Sequence, residues 1–498
     1  MILSDALKKL KELQIKAHAY EHAMGMLSYD ALTAAPSDSA EGRGMSMGIL
    51  SEEYYKILVN DETGALLDFL WENREGLSEH EKREVELLKK EYDHTRKIPM
   101  DEYTAYTMLL NDADVAWHRA KETDDYELFK PYLKKLIDYN KKMAHYYDPE
   151  KEPYDVLLDL YEEGLTKKDA DRFFDTVKAT VVPLLHEIMK CDEVDDSFLY
   201  GKFDINTQRE FSQYLMDVLT IDKTHCVIAE TEHPFTTNFN RNDVRITTKY
   251  HEDNAVNSMY SVIHDGGHAL YELGMDSEHD NTVVAGGVSM GIHESQSRFM
   301  ENLIGRSRQF ISLVLPKMKE LFPQFKDITE EQMYKAVNKV SPGLIRIDAD
   351  ELTYSLHIMV RYEIEKMLIE GDLSVDELPS VWNEKMKEYL GVEVPNYKDG
   401  VLQDSHWSSG SFGYFPSYAL GSAYGAQLIE KMKETVDPKA QTLKGDLSPV
   451  VGWLREHIFR FGKMYAPGDL LEKACEAPFD PSYYTRYLEN KFRDIYNI

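Results

Sequence analysis

A mostly α-helical fold with one small β-sheet is the architecture this sequence predicts, and three observations predict it. Apolar residues recur at helical spacing through most of the 498 residues. Proline and glycine are sparse up to about residue 200, as in long packed helices joined by short connections. Period-two alternation of β-branched residues is confined to one stretch just before residue 250.

The elements follow in order. Leu3, Leu7, Leu10 and Leu13 mark a first helical stripe. Val85, Leu88 and Tyr92 mark another, and Phe129, Leu133, Leu136 and Met143 a third. Val244, Ile246 and Thr248 then alternate with Arg245, Thr247 and Lys249, which reads as a short strand in a small sheet. Residues 258–273 return to helix, a turn follows at Gly286 and Gly287, and a second helix covers about 293–306. Leu356, Val360, Ile364 and Met367 repeat the helical period. Residues 399–421 are rich in Gly, Ser and aromatics and read as a functional loop region. Hydrophobic residues make up 43%, enough for a sizeable core, and the chain is expected to be one unit of two helical lobes over 1–498.

Charge excludes some partners. With 57 Lys+Arg against 88 Asp+Glu the formal net charge is −31. Nucleic acid and anionic lipid both require a basic face, so neither is an expected partner. Cys191, Cys226 and Cys475 are odd in number and widely spaced, which argues against a disulfide framework or a thiolate metal site. The first sixteen residues lack the apolar core of a signal peptide. No run of about 18 apolar residues exists to span a membrane, so cytoplasmic localisation is expected.

The chemistry centres on His264 and His268. Four residues apart on a helix, their imidazoles share one face about 6 Å apart along the axis and can chelate one ion. Asp265 follows the first histidine, where the H-E-x-x-H motif of zinc peptidases carries its general base, Glu. A third ligand must come from another element. Glu272 is eight residues past His264, about 12 Å of helix rise and too far. Glu294 lies 26 residues after His268, and a helix–turn–helix would bring it back; Glu301 on the same second helix is the alternative.

Further segments then appear together and in order. They are His233-Pro234-Phe235, Asp243-Val244-Arg245-Ile246-Thr247, the His264 to His268 helix and His293-Glu294-Ser295-Gln296. Ile345-Arg346-Ile347-Asp348-Ala349-Asp350 follows, then Gly400-Val401-Leu402-Gln403-Asp404-Ser405-His406-Trp407. With them the chain resembles the carboxypeptidase Taq family of zinc metallocarboxypeptidases over about residues 20–490. The resemblance implies a saddle-shaped, zincin-like helical fold with a deep central groove, a zinc-binding core over about 226–310 and usually a homodimer. It implies removal of C-terminal residues from peptides with broad specificity. Carried over by motif, His264, His268 and Glu294 look like ligands of Zn2+, with Co2+ or Mn2+ as substitutes, and Asp265 falls on the base position.

Other roles are assigned by physical fit. Arg suits bidentate capture of a free C-terminal carboxylate, which makes Arg245 and Arg346 candidates. His406, Tyr418 and Tyr414 are donors for an oxyanion beside the metal, with His406 and Tyr418 favoured for that role and Tyr414 placed with the groove. His233 is a candidate groove residue, and the strand 244–248 a candidate partner for extended substrate backbone. Two other readings compete: an oligopeptidase on the same scaffold, and a weakly active or non-catalytic metal binder, motivated by Asp265.

Overall fold

A computed structural model describes all residues, 1–498. The chain opens with α1 (Leu3–Thr33), α2 (Ala40–Leu58), α3 (Asp61–Glu72) and α4 (Glu79–Lys97). α4 starts on a capping box, in which Ser78 and Glu81 each satisfy the other's backbone N–H. α1, α3 and α4 close over their own small core, which includes Leu10, Leu66, Leu67, Leu70, Val85 and Leu88.

The main body begins with α5 (Met100–Thr123), α6 (Tyr126–Tyr147), α7 (Pro153–Asp159), α8 (Lys167–Ile188) and α9 (Ile205–Val218). The sheet follows as β1 (Cys226–Glu230), β2 (Thr236–Asn240) and β3 (Asp243–Thr248), then α10 (Ala255–Leu273) and α11 (Met290–Arg298). Instead of one helix over 293–306, α11 passes into a π-helical segment, Phe299–Gly305. Then come α12 (Arg308–Leu321), α13 (Glu330–Val337), α14 (Glu351–Glu370), α15 (Leu378–Leu390) and α16 (Pro416–Met432). The chain ends with α17 (Pro438–Lys444), α18 (Ser448–His457), α19 (Pro467–Cys475) and α20 (Ser482–Tyr496). The fold is thus mostly helical around one small sheet, as expected.

One continuous apolar core runs through this body, and α14 is buried along most of its length. The small core of α1–α4 is separate and meets the body through polar links. Arg83 donates to the Lys463 carbonyl and to Glu163, both at 2.8 Å. Gln14, held within the layer by its 2.6 Å bond to Glu84, accepts from the Val283 N–H of the body at 2.8 Å. Since these bonds are directional, they fix how the α1–α4 layer seats on the body.

In the sheet β3 is central, parallel to β1 and antiparallel to β2, with an irregularity between Asn238 and Asn240. This corrects one expectation: residues 244–246 are paired with both β1 and β2 and Thr247 bonds to Phe235, so this central strand has no free edge to offer an extended substrate. The cysteines are all unpaired. No helix is long and apolar enough to cross a membrane.

Candidate metal centre and active site

α10 is set by its cap and its glycines. The Asn254 side chain accepts from the N–H groups of Val256 and Asn257. Gly267 then faces the next helix at very short range. A Cβ there would lie 2.4 Å from the Gln296 carbonyl oxygen and 2.6 Å from Ser297 Cα. From the other side, a Cβ on Gly421 of α16 would lie 2.7 Å from Glu294 Cβ. α11 is therefore held between two glycine notches, and the absence of side chains sets how far Glu294 stands from α10.

Three donors converge as a result. His264 Nε2 is 3.6 Å and His268 Nε2 3.5 Å from Glu294 Oε2. All three donor atoms lie within 4.8 Å of one another. Tetrahedral bonds of about 2.1 Å would give donor–donor edges of about 3.4 Å, so the set fits a single divalent ion.

Neighbours fix the imidazoles in the state an ion needs. His264 Nδ1 lies 2.9 Å from Glu301 Oε2, so its proton sits on Nδ1 and Nε2 keeps its lone pair. His293 Nε2 donates to Glu272 at 2.8 Å, which leaves His293 Nδ1 to accept from His268 Nδ1 at 2.6 Å. His268 Nε2 is thereby also left unprotonated. Glu301 is thus an orienting carboxylate and not part of the convergent set. Glu272 stands behind the histidines, where the eight-residue separation placed it.

Electrostatics agree. Burial opposes ionisation of Glu294, but Arg298 and the two histidines overcome it and hold the carboxyl well below its ordinary range. Arg298 Nε donates to Glu294 Oε1 at 2.7 Å, leaving Oε2 to face the histidines. Burial lowers His268 to about 4, so it is neutral near pH 7. Asp265 is 4% exposed, and burial pushes its carboxyl up to about 6. The Thr236 hydroxyl of β2 lies 2.9 Å from Asp265 Oδ1.

The remaining candidates fall into three groups. His406, Tyr414 and Tyr418 come together: His406 Nε2 is 3.1 Å from the Tyr418 hydroxyl, and the Tyr414 and Tyr418 rings meet edge-on at 5.1 Å. Tyr418 belongs to the first turn of α16 and not to a loop, since the helix starts at Pro416. Burial lowers His406 to about 4. The two arginines are both engaged. Arg245 makes a bidentate pair with Asp243 at 2.9 Å and lies between the Tyr29 and Phe239 rings. Arg346 binds Asp404, which also accepts from Arg361 at 2.6 Å. His233 is exposed beyond β1.

Thr236, Arg298 and the Glu272–His293 pair were not visible as site residues in the sequence. Arg298 alone had a local signal, its four-residue spacing from Glu294.

Two imidazoles and a carboxylate primed for an ion, within a helical body, make a metal centre with the donor set that zinc peptidases use. Comparison with known proteins narrows that class. The family described as Carboxypeptidase Taq (M32) metallopeptidase matches residues 9–492. Carboxypeptidase 1 of Bacillus subtilis is 41% identical, with 98% of each chain covered. Thermostable carboxypeptidase 1 of Pyrococcus furiosus is 35% identical, covering 98% of this chain and 99% of that one. The M32 carboxypeptidase structure from Deinococcus radiodurans superposes with a TM-score of 0.96 at 32% identity, covering 99% of this chain and 100% of the other. This chain belongs to the carboxypeptidase Taq (M32) family, and it is a peptide hydrolase of the metallocarboxypeptidase class.

Proposed function

We propose that this chain is a cytoplasmic, homodimeric zinc carboxypeptidase that trims residues from the free C-termini of peptides with broad specificity. It works as one catalytic unit of two helical lobes. The observation that carries the reading is the convergence of His264 Nε2, His268 Nε2 and Glu294 Oε2, with both imidazoles locked in the tautomer that leaves Nε2 free. These three residues would hold Zn2+, and Co2+ or Mn2+ would fit the same nitrogen and oxygen donors. When bound, the ion polarises the scissile carbonyl and lowers the pKa of its water.

The protein's own groups do the rest. Asp265 accepts the proton from the attacking water and returns it to the leaving amine. Its pKa of about 6 suits a base working near neutrality. Asp is shorter than Glu by about 1.5 Å, so Asp265 reaches through one bridging water, with Thr236 orienting Oδ1. His406 and Tyr418 supply donors to the oxyanion, at a cluster close enough to the metal ligands for Tyr414 to feel the Glu294 charge. Arg346 keeps one arm with only a 3.4 Å contact to Tyr354, and Arg245 keeps Nη1 clear of Asp243; these arms grip the terminal carboxylate. His233 and Tyr414 line the groove.

Mass spectrometry of a peptide incubated with metal-loaded protein tests the reading. Single residues should leave in steps from the C-terminus, and a chelator should stop them. Internal cuts, or turnover that survives complete metal removal, would refute it.

A further inference from the structure

Beneath α2, where the α1–α4 layer meets α5 and α6, lies a partly open cavity of about 220 Å³ whose lining includes none of the convergent donors. An apolar cavity of about 150 Å³ already accepts a benzene-sized guest. Leu13, Leu67 and Leu88 contribute apolar wall. Six tyrosines add to it: Tyr54, Tyr55, Tyr92, Tyr103, Tyr106 and Tyr147. Several of these rings are held in place from behind. Tyr106 stacks on Tyr139 at 4.1 Å and Tyr147 on His94 at 4.3 Å, while the Tyr92 hydroxyl donates to the Asn60 carbonyl at 3.1 Å.

One carboxylate stands among these rings. Glu91 lines the cavity and is exposed. Its charged surroundings are Glu21, whose carboxylate accepts from the Tyr54 hydroxyl at 2.5 Å, and the more weakly felt Lys463. Glu294 in the metal centre, by contrast, has Arg298 at 2.7 Å. The cavity thus offers a carboxylate, electron-rich ring faces and an apolar floor. That combination complements a cation carrying an apolar body.

We propose that this cavity binds an apolar primary amine, with its ammonium on Glu91 and its body among the tyrosines. The same chemistry is presented by a free amine and by the N-terminus of a hydrophobic peptide.

Calorimetry on the full-length, metal-loaded protein tests this with benzylamine and, as an uncharged match, benzyl alcohol. Benzylamine should bind about tenfold more tightly, the scale of a charge-assisted hydrogen bond. Glu91→Gln should remove that preference while peptide hydrolysis stays unchanged, which separates this site from binding at the metal. Val59→Trp, placed on the cavity wall, should abolish binding of both probes. Phe-Gly-amide, which has a free amine and no free carboxylate, distinguishes the sources. Binding stronger than that of benzylamine points to peptide N-termini, and weaker binding points to free amines. No binding of benzylamine at millimolar concentration, a preference that survives Glu91→Gln, or full binding by Val59→Trp would overturn the proposal.

Discussion

Gly267→Ala should damage metal binding out of proportion to its size. The new methyl carbon would sit 2.6 Å from Ser297 Cα and 2.4 Å from the Gln296 carbonyl oxygen. Carbon atoms pack at about 3.5–4.0 Å, so α11 must retreat by about 1 Å. The obstacle is backbone and cannot swing aside. Glu294 moves with its helix, and its 3.5 Å separation from His268 Nε2 opens towards about 4.5 Å, well past the tetrahedral edge of about 3.4 Å. Overpacking costs about 1–3 kcal/mol, of which the better helix propensity of Ala returns about 1 kcal/mol. Global stability should therefore fall by only about 0–2 kcal/mol. Zinc affinity should fall about 10–100-fold, the scale on which disturbed ligand support is felt, and kcat/KM about 100-fold. Gly266→Ala is the internal control. Its Cβ meets Leu219 Cδ1 at 2.7 Å and Ile221 Cδ1 at 3.2 Å, both ends of flexible side chains. Competition against a chromophoric chelator measures both variants. If Gly267→Ala binds zinc within about threefold of Gly266→Ala, the notch does not set the ligand spacing and the reasoning fails.

Three further outcomes are expected. Asp265→Asn should keep zinc but lose about 10²–10⁴-fold in kcat, while Asp265→Glu should retain or raise turnover; a dead Asp265→Glu beside an active parent would show a site tuned to the shorter acid. Glu301→Gln should weaken zinc about 10–100-fold without moving the chain's fold, since it frees the His264 tautomer; unchanged affinity on metal titration would remove its orienting role. Glu162, 2% exposed and bonded to the Gly291 N–H at 2.9 Å, has its carboxyl pushed up by burial to about 7. A raised folded-state pKa stabilises below the unfolded value of about 4.5, and that contribution is lost as pH rises through about 7. Thermal melts of the parent should therefore fall across this window by more than those of Glu162→Gln, and parallel curves would refute the assignment.

Most of the metal chemistry was legible because it is local. The His264–His268 spacing is a property of one helix, and Glu294 follows from a helical hairpin. Its supports were not, because they come from elsewhere in the chain. Thr236 is 29 residues from Asp265 and reaches it only once the sheet has packed on α10. His293 needs Glu272 to settle its tautomer, and nothing in their 21-residue separation announces that pair. β2, with the residues Thr-Thr-Asn-Phe-Asn, is too polar for alternation to mark it. The change to π-helix at Phe299 left no trace in the hydrophobic period. Arg245 and Arg346 were read by residue type, and type alone does not reveal that Asp243 and Asp404 each hold two nitrogens of these guanidinium groups.

α16 carries a consequence for how this protein can change length. Tyr418, partner of His406, and Gly421, the notch that receives Glu294, sit three residues apart on the same helix. One insertion between them would rotate one against the other by about 100° and separate the oxyanion side of the chemistry from the metal side. The chain upstream is no freer, although it is irregular: His406 lies in it, and Trp407 and the Gly413 N–H both donate to buried Glu365, at 2.8 and 2.9 Å. Relatives can therefore be expected to keep the spacing from Asp404 to Gly421 constant. A library of single-residue insertions would test that constancy directly.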